Sequence, residues 1–179
     1  MSEWNVVVSV HGRGFIRACE ILQRLGPVNR TGFLNVLVMR VEDIAQAMES
    51  LRQWISEDPA ITDALARVMP VTHTFSFQTV EEFEEKARQA VLSWTSDLAG
   101  KAFYVRMHRR GFKGRLSSQA QERSLSAALL ETLEKAGTPG RITFQDPDAV
   151  LAVETVGNQA GLSLWSREDL QRYPFLKPD

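Results

Sequence analysis

Lys101-Ala-Phe-Tyr-Val-Arg-Met-His-Arg-Arg-Gly-Phe-Lys-Gly-Arg115, continued by Leu116-Ser117-Ser118, is the stretch whose reading decides how the second half of this chain folds. Ala102 to Met107 is aromatic and β-branched enough to read as a strand. Gly111 and Gly114 loosen the loop after that strand. Ser117 or Ser118 then caps a helix that runs from Gln119 to Ala136. The run carries Lys101, Arg106, Arg109, Arg110, Lys113 and Arg115, with His108 among them, and no carboxylate interrupts it between Asp97 and Glu122. Clustered cations on an adaptable loop beside a strand are the electrostatic footprint of a phosphate-rich partner; the alternative is a solvated charged loop.

Working outward from that run, a helix precedes it. Thr79 is the N-cap, Glu81 and Glu82 fall in the first turn, and Val80, Phe83, Ala87, Ala90, Val91 and Trp94 space as one helix face. After it come the helix stop at Gly137-Thr-Pro-Gly140, a short strand Arg141-Ile-Thr-Phe144, and a turn at Asp146-Pro-Asp148. A strand from Ala149 to Val156 then turns at Gly157-Asn158 into a last strand, Gly161 to Trp165. The first half reads strand (Trp4–Val10), helix (Phe15–Leu25), strand (Val28–Arg30), strand (Phe33–Val41), helix (from Ile44, stopped by Pro59), strand (within Ala64–Phe77, with Pro70 a candidate break). That order is the split βαβ, ferredoxin-like arrangement. The fold class expected is therefore α/β (α+β), as a ferredoxin-like βαββαβ module over residues 1–77, a second α/β domain over 78–166, and a C-terminal tail over 167–179 that holds a capped single helical turn and two prolines.

Charge is unevenly shared. Residues 1–100 hold nine Lys/Arg against 13 Asp/Glu, and residues 101–179 hold 12 against nine, although the whole chain carries only −1. An acidic first half and a basic second half point to modules with different tasks. The single cysteine, Cys19, excludes an internal disulfide, and its apolar-periodic setting reads as a buried small hydrophobe. No apolar run is long enough to cross a bilayer, so no membrane partner is expected, and a cytoplasmic location is.

Catalytic and metal constellations are not legible. His11, His73 and His108 lie far apart, and one cysteine supplies no metal-ligand spacing, so no metal and no cofactor are expected. Gly12-Arg-Gly14 after a strand is only the start of a dinucleotide fingerprint, because Arg17 stands where the third glycine belongs. Asp146 and Asp148 flank a proline turn and suit backbone capping better than paired acid/base work.

The order of pieces from 79 to 165 resembles the THUMP family of RNA-binding modules. The residues that carry this likeness are Phe103-Tyr-Val-Arg106, the Arg-Arg-Gly loop, Ser117-Ser-Gln-Ala-Gln-Glu-Arg123, Asp146-Pro-Asp-Ala-Val-Leu-Ala-Val-Glu-Thr155 and Ala160-Gly-Leu-Ser-Leu164. The family commonly carries a ferredoxin-like domain just before this module. The resemblance implies a tRNA partner gripped at its acceptor end, with no DNA expected, and a non-catalytic protein similar to the adaptor that presents tRNA to a separate modification enzyme. The competing expectations are a protein-interaction scaffold without RNA, or a separated RNA-binding subunit of a tRNA methyltransferase or thiolation enzyme. The phosphate contacts expected are Lys101, Arg106, Arg109, Arg110, Lys113, Arg115 and Ser117, with Arg141 near the same face. Arg13, Arg17 and Arg30 are candidates to extend the contact. Phe112 either stacks on an unpaired base or anchors the loop to the core.

Overall fold

The computed structural model describes residues 3–179. The chain divides into two compact units, the first running to Pro70 and including Arg172–Lys177, the second comprising Val71–Gln171 and Pro178–Asp179.

In the first unit, the valine-rich run Val6–Val10 forms β1. Two helices, α1 (Phe15–Leu22) and α2 (Ile44–Glu57), alternate with β2 (Val28–Arg30), β3 (Val36–Met39) and β4 (Leu65–Pro70). The sheet order is β2-β3-β1-β4 with every pair antiparallel, as the split βαβ reading requires. Val7 and Val8 of the central strand are fully buried. The Asp43 carboxylate caps α2 by accepting the Gln46 N–H at 3.0 Å, and Met48 and Leu51 turn inward beside Val6, Met39 and Val68. Gly26 is required where α1 hands over to β2: a Cβ there would lie 2.1 Å from the Arg40 carbonyl oxygen.

Three expectations change here. Cys19 is only half-buried. The buried face of α1 is Ala18, Ile21 and Leu22, so Ile16 and Cys19, one turn apart, fall on a neighbouring face that stays uncovered. The stretch Ala64–Phe77 breaks at Pro70, the candidate break in the sequence, and this moves the end of the first unit. The β1–β4 ladder stops at Pro70, and Thr72 donates to the Leu162 carbonyl at 2.9 Å, where the second sheet begins. The first unit therefore ends near 70, and not near 77. Finally, residues 167–179 are more than a tail. The helical turn expected there is Arg167–Arg172, α5; what the sequence does not show is the 3-10 turn at Pro174–Leu176, which buries Phe175 and Leu176 in the first unit. There Arg67 donates to the Lys177 carbonyl at 2.6 Å, and Arg172 forms a two-pronged ion pair with Glu49, both arms at 2.7 Å.

The second unit is built from β5 (His73–Ser76), α3 (Val80–Leu92), β6 (Ala102–His108), α4 (Ser118–Lys135), β7 (Arg141–Ile142), β8 (Ala149–Val156) and β9 (Gln159–Ser166), with sheet order β5-β9-β8-β6-β7. β6 runs parallel to β8 and β7, and β9 runs antiparallel to both its neighbours. All eight residues of β8 are buried, as befits a central strand covered on both faces. Thr79 and Ser117 cap α3 and α4 by accepting the N–H groups of Glu82 at 3.1 Å and Ala120 at 3.2 Å. Phe83, Ala87 and Val91 of α3 and Leu125, Leu129 and Leu133 of α4 close over Phe103, Val105, Met107, Leu151 and Val153. The α/β class expected from the sequence is the class observed. No helix among the described residues is long and apolar enough to cross a membrane.

Candidate nucleic-acid interface

The basic run folds as a strand followed by an anchored loop. Gly111, Phe112 and Gly114 have φ of 100°, 54° and 80°, so the chain turns through the left-handed region that glycine reaches most cheaply. Phe112 accepts that conformation because its ring packs inward on Phe77, with centroids 4.9 Å apart. Leu116, buried, donates its N–H to the Phe112 carbonyl at 2.9 Å. Of the two roles open to Phe112, the geometry is that of the anchor. Lys113 and Arg115 stand exposed between these pins, the Arg115 guanidinium lying 4.4 Å from the Phe112 ring centre. The loop ends at Ser117, whose hydroxyl is already engaged as the α4 cap.

The remaining cations separate into distinct roles. Arg110 departs from the sequence expectation: its side chain is only 12% exposed and pairs with the fully buried Glu154 at 3.1 Å, with a longer bond to the Thr155 carbonyl at 3.5 Å. Glu154 sits in a fully buried central strand whose only other polar residue is Thr155, and has to be neutralised there. A phosphate at Arg110 has to compete with this buried carboxylate. Arg106 is half-buried between Asp179, at 3.0 Å, and Glu122, at 3.7 Å, so a phosphate has to compete with two carboxylates for it. Arg109 is half-buried and donates to the Gly111 carbonyl, bracing the loop.

Lys101 and Arg141 are exposed, but they lie at the opposite end of β6. The Arg141 N–H bonds the Lys101 carbonyl at 3.1 Å. Seven residues of strand separate this pair from the loop, a span of about 20 Å at 3.3 Å per residue. The run that reads as one footprint is therefore two cationic patches at the ends of one strand. Arg123, exposed on the second turn of α4, joins the set unexpectedly. Its signal was its place six residues after the Ser117 cap, with no acidic residue in the first turn of the helix. In the first unit, Arg17 pairs with Asp58 at 2.6 Å and Arg30 covers the Phe15 ring at 4.8 Å.

The titratable groups around β6 hold structure together. His108 Nε2 donates to the Pro178 carbonyl at 2.8 Å. Tyr104 donates to Asp179 at 2.9 Å, and burial, followed by that carboxylate, pushes its hydroxyl up to about 12. The Asp148 carboxyl is held below its ordinary value first by the Ala102 N–H, which it accepts at 2.9 Å, and then by Arg167 and Arg141. The sequence expects a local backbone cap at the Asp-Pro-Asp turn; the bond that forms instead ties the turn to β6, 46 residues away.

No protein-family model matches the sequence, and neither does any curated protein. Solved structures do match. PH1313 from Pyrococcus horikoshii Ot3 is 11% identical, with a TM-score of 0.57 over 92% of this chain and 55% of that one. TrmN from Thermus thermophilus is 17% identical, with a TM-score of 0.61 over 90% of this chain and 44% of that one. A 4-thiouridine synthetase, solved with RNA and bound ATP, is 14% identical, with a TM-score of 0.56 over 92% of this chain and 42% of that one. At such identities the likeness is one of fold. The chain spans about half the length, or less, of each of these proteins.

Proposed function

We propose that this chain is a THUMP-type RNA-binding protein that holds tRNA, by its acceptor end, for a separate modification enzyme. The observation that carries this reading is the loop from Arg109 to Ser117. Lys113 and Arg115 are exposed there on a backbone pinned at Phe112 and Leu116. A cation on a pinned loop loses little freedom when a phosphate arrives, so its Coulomb attraction is retained in binding. Lys101 and Arg141 supply a second contact further along β6, which makes the grip two-pointed. Two further facts support the reading: the THUMP-like order of motifs between 79 and 165, and a fold shared with a synthetase solved bound to RNA. In this proposal the chain positions and takes no part in the chemistry. His108, Glu122, Glu154 and Asp148 are each engaged in a cap, a strand bond or an ion pair.

Fluorescence anisotropy with a labelled tRNA transcript tests the proposal. Three or four phosphate contacts give a log–log salt slope of about −3. The double substitution Lys113→Glu, Arg115→Glu should lower affinity at least about tenfold and flatten the slope by about two. Unchanged tRNA affinity in that variant, with its unfolding midpoint intact, would remove the loop from the interface.

A further inference from the structure

Between the two cationic patches, alongside β6, lies a groove of about 360 Å³. One wall is the α4 face bearing Gln119, Glu122, Arg123 and Ser126, and the other is Tyr104, Ile142 and Phe144. Phe144 is 63% exposed, the only large aromatic so exposed among the described residues. It is held upright against Tyr104, with ring centroids 5.2 Å apart, and the Arg106 guanidinium lies 5.7 Å from its centre. Val105, at the base of the groove, is itself only 2% exposed. Asp148 N–H bonds the Ala102 carbonyl on the β8 side, and Thr143 N–H bonds the Phe103 carbonyl on the β7 side. Alternation along the strand therefore turns the N–H and C=O of Val105 toward β7. But β7 ends at Ile142, and Val105 lines the groove.

We infer that this groove is a stacking subsite for one unpaired nucleobase of an RNA, with Phe144 as the platform. The inference rests on the RNA-binding reading above and adds a site to it. An exposed aromatic face flanked by Arg106 and Arg123, with cations at both ends, has the composition of a single-strand platform. A peptide strand added to the β6 edge is the other occupant an open edge invites. It would need the next donor along, Met107 N–H, and Glu122 already takes that group at 2.8 Å.

Phe144→Ala and Phe144→Trp, with an eight-nucleotide unstructured RNA and a blunt RNA duplex as probes, test the inference by anisotropy. Phe144→Ala should weaken single-strand binding about five- to a hundredfold, leave duplex binding within about twofold, and leave the unfolding midpoint in place, because the side chain is largely exposed. Phe144→Trp should retain the affinity. Equal loss on both probes, or loss of single-strand binding with Trp as well as with Ala, overturns the subsite. If Phe144→Ala binds normally while Lys113→Glu, Arg115→Glu does not, the subsite is wrong and the RNA reading stands. If the wild-type protein binds neither probe nor tRNA, both fail.

Discussion

Replacing Arg110 with methionine separates a structural cation from a binding one within a single basic run. The guanidinium is 12% exposed, and its partner Glu154 is fully buried on β8. Methionine keeps much of the stem volume but leaves the carboxylate facing an apolar neighbour. Removing one member of a buried pair costs about 3–5 kcal/mol. Glu154 has at least one further interaction, which moves the expectation to the lower end, about 3 kcal/mol. At 2–4 °C per kcal/mol for a chain of this size, the melting temperature should fall by roughly 6–12 °C. The Arg110→Met, Glu154→Gln double variant should recover part of that loss, because no buried charge is then left over. Calorimetry and urea unfolding read the stability, and tRNA anisotropy at several salt concentrations reads the binding. The salt slope of the folded single variant should match wild type. A stability within about 0.5 kcal/mol of wild type, together with a slope flatter by about one, would refute the reasoning and return Arg110 to the phosphate-binding set.

Gly26→Ala forces a Cβ to within 2.1 Å of the Arg40 carbonyl oxygen, a backbone atom that cannot rotate away. It should cost about 3 kcal/mol in urea unfolding, while Gly32→Ala, which meets nothing within 4 Å, stays within about 0.5 kcal/mol of wild type. Thr79→Ala removes the α3 cap and should cost about 1 kcal/mol without altering tRNA affinity, since the cap lies on a different helix from the basic loop. The Glu49 carboxyl is lowered to about 2, mainly by its bonds from Arg172 and Tyr173. Its folded value lies below its ordinary one, so its contribution is complete above about pH 4.5 and is lost as pH falls through about 2. The difference in urea midpoint between wild type and Glu49→Gln should therefore be constant near neutrality, shrink below about pH 4.5 and be largely gone by about pH 2. A difference that persists undiminished at pH 2 would show that the charge of Glu49 contributes nothing to it.

Most of the fold was legible because its signals are local. Valine runs, the Thr79 and Ser117 caps and the Gly157 hairpin each act within a few residues. What misled the reading was long-range. Pro70 marks a candidate break in Ala64–Phe77, but does not tell that its halves pair with Val6–Val10 and with Gln159–Ser166, strands at opposite ends of the sequence. Phe175 and Leu176 look like tail residues because the groups that bury them lie in the first seventy residues.

The candidate site divides in the same way. The sequence alone determined that a strand, a glycine-loosened basic loop and a capped helix follow one another, since cap, glycine and strand preferences depend on near neighbours. Only the tertiary structure decided which cations face outward. Arg110 and Lys113 are three residues apart and chemically alike, but one meets a buried carboxylate 44 residues away on the neighbouring strand, and the other meets solvent. Burial of a charge depends on what the fold brings beside it, and a linear pattern does not carry that information.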